Sequence, residues 1–339
     1  MVGTIASGPD LLRLLLVPAL GWAAWRDYRT RRVPSRLWWP LIGLGVLLLA
    51  WEGWSLFTDF GTSDQVFLLR TGISVGLLGL LGVAFYRLRL MGAADAKAII
   101  TVAVLFPIYP AYDFGVILLP IVRPPLGVFS LTVLTNSALL GLLYPAALAI
   151  QNLRDGEFSR TAFLARRVHW SAIPSTPGRL AEIPEGRTLG GLDLDALRMY
   201  LRWRQATVAD LRSRPNELRD PDSIPGDPGD PTDGRPVPAD EVSIEPALEA
   251  AHPAPNIEEG GDHQGYTDPW AAEEFLSSVD SAYGATATQL RAALESLTKS
   301  ATVWISPGLP FLVPIFLGLL VGLGYGDLLF AGLQAVGLI

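Results

Sequence analysis

Two aspartates have the type and placement for proton-transfer chemistry. Asp95 lies in Gly92-Ala93-Ala94-Asp95-Ala96-Lys97, between the apolar stretches 77–86 and 98–106. Asp27 lies in Trp25-Arg26-Asp27-Tyr28-Arg29, where the first apolar stretch ends. A carboxylate at the mouth of a membrane segment is costly to keep there, so an ionisable residue in that position points to function. Gly92, Ala93 and Ala94 are small enough to let another backbone approach Asp95. Two carboxylates a few ångströms apart cannot both ionise cheaply, so one holds a proton that the other lacks. The ionised member can take a proton from a water that attacks an amide carbonyl. The protonated member bonds the carbonyl oxygen and later donates to the leaving amine.

These residues need a scaffold that brings them to one depth. Half of the 339 residues are apolar and the mean hydropathy is positive, although the net charge is −7. With several long runs almost free of charge, this describes an integral membrane protein with an acidic soluble part. The expected fold class is all-α, with apolar spans at about 9–25, 37–57, 67–86, 96–112, 126–150 and 308–334, each near the ~20 residues that cross a bilayer. The fourth span is the shortest, and Pro107 and Pro110 sit at its far end, where a helix breaks. The first run lacks a basic leader and a small-residue cleavage site, so it reads as a retained helix. There is no cysteine, which excludes disulfides and thiolate catalysis, and His169, His252 and His263 form no spaced ligand set. No metal, cofactor or nucleic-acid partner is expected.

Basic and non-basic loops alternate. Arg26, Arg29, Arg31, Arg32 and Arg36 follow the first span; Asp59 and Asp64 follow the second; Arg87, Arg89 and Lys97 follow the third. Asp113 and Arg123 follow the fourth, and Arg154, Arg160, Arg166 and Arg167 the fifth. The basic loops are then cytoplasmic and both termini lie outside. Arg13 and Arg70 fall near outer ends, within reach of the interface by snorkelling. On this topology Asp27 and Asp95 share the cytoplasmic face of a multi-pass protein in the cell membrane.

The expected organisation is a five-helix membrane region over 1–150 holding both aspartates, an acidic cytoplasmic insertion over 151–305, and a last membrane helix over 306–339. Within the insertion, 192–211 has the helical apolar spacing of an amphipathic helix suited to lie on a membrane. From 215 to 269 the chain is rich in Pro, Gly, Asp and Glu and is expected to be disordered. A second helical stretch is expected over 271–298. Acidic, solvated segments of this kind suit a high-salt cytoplasm and point to a halophilic source.

The six-span frame and three patches resemble the archaeal type IV prepilin and preflagellin peptidases, of the GxGD group of intramembrane aspartyl proteases. Gly92-Ala93-Ala94-Asp95-Ala96-Lys97 is similar to the family's G-x-G-D-x-K, which implies that Asp95 is the second catalytic aspartate. Asp27-Tyr28-Arg29-Thr30-Arg31-Arg32-Val33-Pro34-Ser35 is similar to D-x-R-x-R-x-(I/V)-P-N, which implies that Asp27 is the first. Ser306-Pro307-Gly308-Leu309-Pro310-Phe311-Leu312-Val313-Pro314 resembles the Pro-Phe segment that opens the family's last helix. Ala94 replaces the second Gly and Ser35 replaces Asn. The bacterial enzymes' cysteine-rich metal loop and N-methylation do not carry over to a cysteine-free chain. The resemblance implies cleavage of leader peptides from pilin-like or archaellin precursors, with precursor proteins and the lipid bilayer as partners.

The residues also admit plainer readings. Asp27 among arginines can be a solvated, neutralised charge, and Asp95 can be the cap that opens a helix. Lys97 either orients substrate or biases the pKa of the pair, or is an ordinary positive-inside lysine. Gly92, Ala93 and Ala94 are site-shaping in the catalytic reading. Glu52, between Trp51 and Trp54, reads as an outer-interface residue, and Asp327 as an acid at the far end of the last span. Two rival functions stand beside proteolysis: a proton- or cation-coupled transporter using the same acids as a relay, which inverted repeats would support and none is visible, and a scaffold whose acidic domain binds partners. The loop alternation makes a direct prediction. Single cysteines at Ser35 and Ser159 are shielded from an impermeant thiol reagent in intact cells, and one at Ser63 is labelled; labelling at Ser35 would overturn the shared cytoplasmic face.

Overall fold

The computed structural model describes residues 5–30, 32–54, 61–88, 91–156, 163–181, 191–236, 266–308 and 310–338. The protein is mostly helical. It divides into two compact units, Met1–Ala146 with Leu309–Ile339, and Ala147–Gly308.

The first unit opens with α1 (Gly8–Arg13) and α2 (Leu16–Thr30), which share the first expected span. Ser7 caps α1, its hydroxyl accepting the Asp10 N–H at 3.1 Å. Then follow α3 (Trp38–Glu52), α4 (Thr62–Thr71) and α5 (Gly79–Arg87). A π-helical turn at Gly72–Leu78 joins α4 to α5. There Ser74 is fully buried, donating to the Ala103 carbonyl at 2.6 Å and meeting the Ser130 hydroxyl at 2.6 Å. Next come α6 (Ala93–Leu105), the hairpin of β1 (Tyr112–Asp113) and β2 (Leu118–Leu119), α7 (Phe129–Gly141) and α8 (Leu143–Arg154).

Two helices are long and apolar enough to cross a membrane, Thr62–Arg87 and Phe129–Arg154, each of 26 residues. Less than a third of either apolar window is buried, and many of their leucines point outward, such as Leu68, Leu77, Leu80, Leu139 and Leu142. The other expected spans are shorter here. The first breaks at Leu14 and Leu15, α3 has 15 residues, and α6 ends at Leu105, ahead of Pro107. Arg13 does not snorkel. It is buried between α1, α3 and α6, bonding Asp10 Oδ1 at 2.8 Å, both Glu52 oxygens at 2.8 and 2.5 Å, and the Leu105 carbonyl at 2.6 Å. Two carboxylates and a helix-end carbonyl satisfy the guanidinium in place of water. Glu52 is therefore half of an ion pair, between exposed Trp51 and Trp54.

The second unit has its own core. A three-stranded antiparallel sheet carries β5 (Thr302–Ser306) between β3 (Arg166–His169) and β4 (Arg179–Leu180). Val303, Ile305 and Leu180 face inward onto α9 (Leu194–Trp203), α10 (Val208–Ser213), α12 (Ala272–Ser278) and α13 (Ala287–Lys299). The amphipathic stretch expected to lie on a membrane is α9 and α10, and its apolar face, with Leu194, Leu197, Tyr200 and Trp203, is covered by this core instead. Disorder from Pro215 is also corrected at its start. Residues 215–236 form α11 (Pro215–Arg219) and a series of turns. Buried Arg204 organises them, donating to the Leu218 carbonyl at 2.6 Å, the Asp220 carbonyl at 3.1 Å and Ser223 Oγ at 2.6 Å. Residues 237–265 of that expectation lie outside the described residues, as do His252 and His263. Asp268 closes the unit against α13. Burial raises its carboxyl, but hydrogen bonds from Arg291 and from the Glu273 and Glu274 N–H groups outweigh this and hold it below the usual carboxylate value.

The chain then returns to the first unit as α14 (Leu312–Gly324) and α15 (Leu328–Ala335). Helix α14 packs on α2 and runs antiparallel to α7, pairing Gly318 with Ser137 and Gly322 with Phe129. A Cβ on Gly318 would sit 2.8 Å from the Val133 carbonyl and 2.8 Å from the Ser137 N–H nitrogen, both backbone atoms. Gly318→Val therefore forces α14 off α7, and we expect a loss of about 1–3 kcal/mol, read as a lower unfolding midpoint in detergent. An unchanged midpoint would contradict this packing.

Candidate active site

Two contact pairs orient α2 and α6. At one end, Arg13, just before α2, bonds the last residue of α6 through the Leu105 carbonyl. At the other, Lys97 in the first turns of α6 donates to Ser35 Oγ at 2.7 Å, just beyond α2. The helices thus run antiparallel. Asp27, near the end of α2, and Asp95, near the start of α6, come to the same end of the bundle. The start of α14 joins them, where the Leu312 N–H points to Asp27 Oδ2 at 3.4 Å.

Local sequence explains each position. Gly92 is the N-cap of α6, with extended φ −70° and ψ 160°, and Asp95 is its third helical residue. Asp95 Oδ2 accepts the Gly92 N–H at 3.2 Å. The plain capping expectation thus holds in kind but shifts by three residues: Asp95 closes the cap from inside the helix. Asp27 is in the last turn of α2, the negative end of its own helix dipole. The N-terminus of α14 supplies the opposite partial charge, so a carboxylate is tolerated there. Arg26 and Arg29 complement the same helix end and lie over the Trp22 and Trp25 rings at 5.3 and 5.5 Å. Asp27, Asp95, Ala94 and Lys97 are half-buried, and Gly92 and Ala93 are exposed. Gly82 of α5 packs on the other side of α6, and a Cβ there would lie 3.2 Å from the Ala96 carbonyl.

The remaining acids fall elsewhere. Asp327 is buried at the opposite end of α14, where it caps α15 through the Phe330 N–H at 2.8 Å and accepts from Thr132 at 2.6 Å. Helix α14 has 13 residues, which separates its ends by about 20 Å. Asp59 lies outside the described residues. His169 is exposed and meets Ser171 Oγ at 2.8 Å. Among the described residues no three His, Asp or Glu side chains gather as a metal site.

Sequence reasoning missed two parts of this end. Ser35 registered only as a departure from a pattern, yet it is the partner of Lys97. The start of α14 was seen as a Pro-Phe segment, with nothing to say that its first N–H points to Asp27.

Comparison with known families comes down on the same regions. The model of the Type IV leader peptidase family matches residues 14–146, and that of the Archaeal Peptidase A24 C-terminus Type II matches residues 259–328. Together they span more than half of the chain, and each contains one side of the Asp27–Leu312 contact. No curated protein and no solved structure matches the chain.

Proposed function

We propose that this chain, which belongs to the type IV leader peptidase family, is a membrane-embedded aspartic endopeptidase whose catalytic pair is Asp27 and Asp95. The supporting observation is the opposed direction of α2 and α6, whose flanking residues meet through Arg13–Leu105 at one end and Lys97–Ser35 at the other, so that the two carboxylates fall at one end of the bundle. The outward apolar surface of Thr62–Arg87 and Phe129–Arg154 supports the membrane setting. The first unit is a multi-pass region, the site opens at the cytoplasmic face, and the substrates are type IV pilin-like or archaellin precursors, cleaved at the leader.

One member of the pair is ionised and takes a proton from the attacking water; the other is protonated and bonds the scissile carbonyl oxygen, then donates to the leaving amine. The exposed, small Gly92 and Ala93 leave room for an extended substrate backbone beside Asp95. Lys97 acts as a positioning residue. Its bond to Ser35 ties the turn bearing Asp95 to the segment that follows Asp27.

Asp27→Asn and Asp95→Asn each lower precursor cleavage by ~100-fold or more, the low end of a general acid–base contribution, without loss of expression or membrane insertion. The double variant is no worse than the poorer single, because the pair acts as a unit. Asp→Glu at either position costs ~100-fold by displacing the carboxylate. Asp327→Asn, which keeps a capping side chain, cleaves normally. Wild-type processing by a well-inserted Asn variant at either site would sink the dyad.

Lys97→Met and Ser35→Ala separately lower kcat by about tenfold, the worth of a hydrogen bond to a charged group. KM stays constant, and the double variant matches the worse single. Additive losses from the two changes would show that Lys97 works apart from Ser35.

A further inference from the structure

The second unit is acidic, yet one surface of it is basic and aromatic. Side chains alternate across the β3–β5–β4 sheet, so the face opposite Val303 and Ile305 carries Arg167, His169, Arg179, Thr302 and Trp304. The registers pair Arg167 with Trp304 and His169 with Thr302, and set Arg179 opposite Ser306. The Arg167 guanidinium lies over the Trp304 ring at 5.3 Å. Arg179 forms an ion pair with Asp193 at 3.6 Å and still leaves its side chain 60% exposed.

The chain marks which end of this sheet a bilayer can reach. Strand β3 begins and β5 ends at the same end, since Arg166 pairs with Ile305. Both connections to apolar helices leave from there. Helix α8 closes at Arg154, before β3, and α14 opens at Leu312, six residues after Ser306. Six residues reach at most ~20 Å. At this end the chain also exposes Phe163 (57%) and Leu164 (44%) just before β3. Arginine with tryptophan, beside bare Phe and Leu, on a sheet tethered to membrane helices is the chemistry of a bilayer interface.

We propose that this sheet face docks on anionic phospholipid headgroups, with Arg167 and Arg179 on lipid phosphates and Trp304 at headgroup level. Guanidinium and phosphate match in a bidentate fork, which holds at contact range. The contact would anchor the second unit to the bilayer that its flanking helices enter. It needs the membrane setting and not the identity of the catalytic pair, so it can fail while the peptidase reading stands.

The cysteine-free chain makes the test direct. A single cysteine at exposed Thr302 carries a nitroxide, with the full-length protein in vesicles of phosphatidylcholine, with or without phosphatidylglycerol. Collisions with a water-soluble nickel chelate are compared with collisions with oxygen. Phosphatidylglycerol lowers nickel access at Thr302 by ~fivefold or more, the worth of one arginine at an anionic surface. A label at exposed Ser277 reads the same in both vesicles. Arg167→Gln with Arg179→Gln abolishes the effect, and Arg167→Lys with Arg179→Lys keeps most of it. Equal nickel access at Thr302 in the two vesicles overturns the proposal. Protection as strong in phosphatidylcholine alone also overturns it, because a protein surface, the acidic segment 237–265 or a second copy, would then cover the face.

Discussion

The N–H of Leu312 points to the carboxylate of Asp27 across 285 positions of sequence. Asp27 needs that helix start, because it stands at the negative end of α2, where its own helix opposes a carboxylate. Helix α14 can present its N-terminus there only by packing between α2 and α7. It does so through glycines that allow backbone contact with Val133 and Ser137. In the proposed site, Asp27 thus meets a helix start that the chain supplies only after the second unit.

The rest of the first unit fixes where α2 and α6 can sit. Arg13, neutralised by Asp10 and Glu52, locks one end of the pair, and Lys97 with Ser35 ties the other. A buried guanidinium held by two carboxylates and a helix-end carbonyl is costly to displace, so the far end resists rearrangement. The end with Asp27 and Asp95 is tied by the bond from half-buried Lys97 to exposed Ser35 and by helix termini, and it has the small residues Gly92 and Ala93 on its exposed side. Rigidity at one end and an open face at the other fit the proposed cleavage of an extended peptide.

Much of this was legible locally. The Asp27 and Asp95 patches are short, and α6 opens after Gly92 and ends ahead of Pro107 as those residues say it should, whereas α2 starts only at Leu16 and runs on to Thr30. Partners distant in sequence were not legible. The bond from Lys97 to Ser35, the Arg13–Glu52 pair and the Leu312–Asp27 contact depend on how helices pack, which no window of sequence carries. Composition misled at residues 215–236. Proline, glycine and aspartate suggested a chain unable to bury enough apolar surface, but buried Arg204 gathers two of its carbonyls and a serine, and Leu218 and Ile224 join the core. In α9 and α10 the amphipathic pattern was read correctly and its partner was not, since a moment says that a face is buried and not what buries it.

The account rests on Asp27 and Asp95 facing each other at one end of the bundle. Paired cysteines at these two positions, in a chain with no other cysteine, test that directly. Oxidation joins only thiols whose Cα atoms approach to within ~7 Å. The expected result is rapid disulfide formation between positions 27 and 95 in the membrane-inserted protein, and none between 95 and 327. Failure to join 27 to 95, while cysteines at 35 and 97 do join, would contradict a shared catalytic centre.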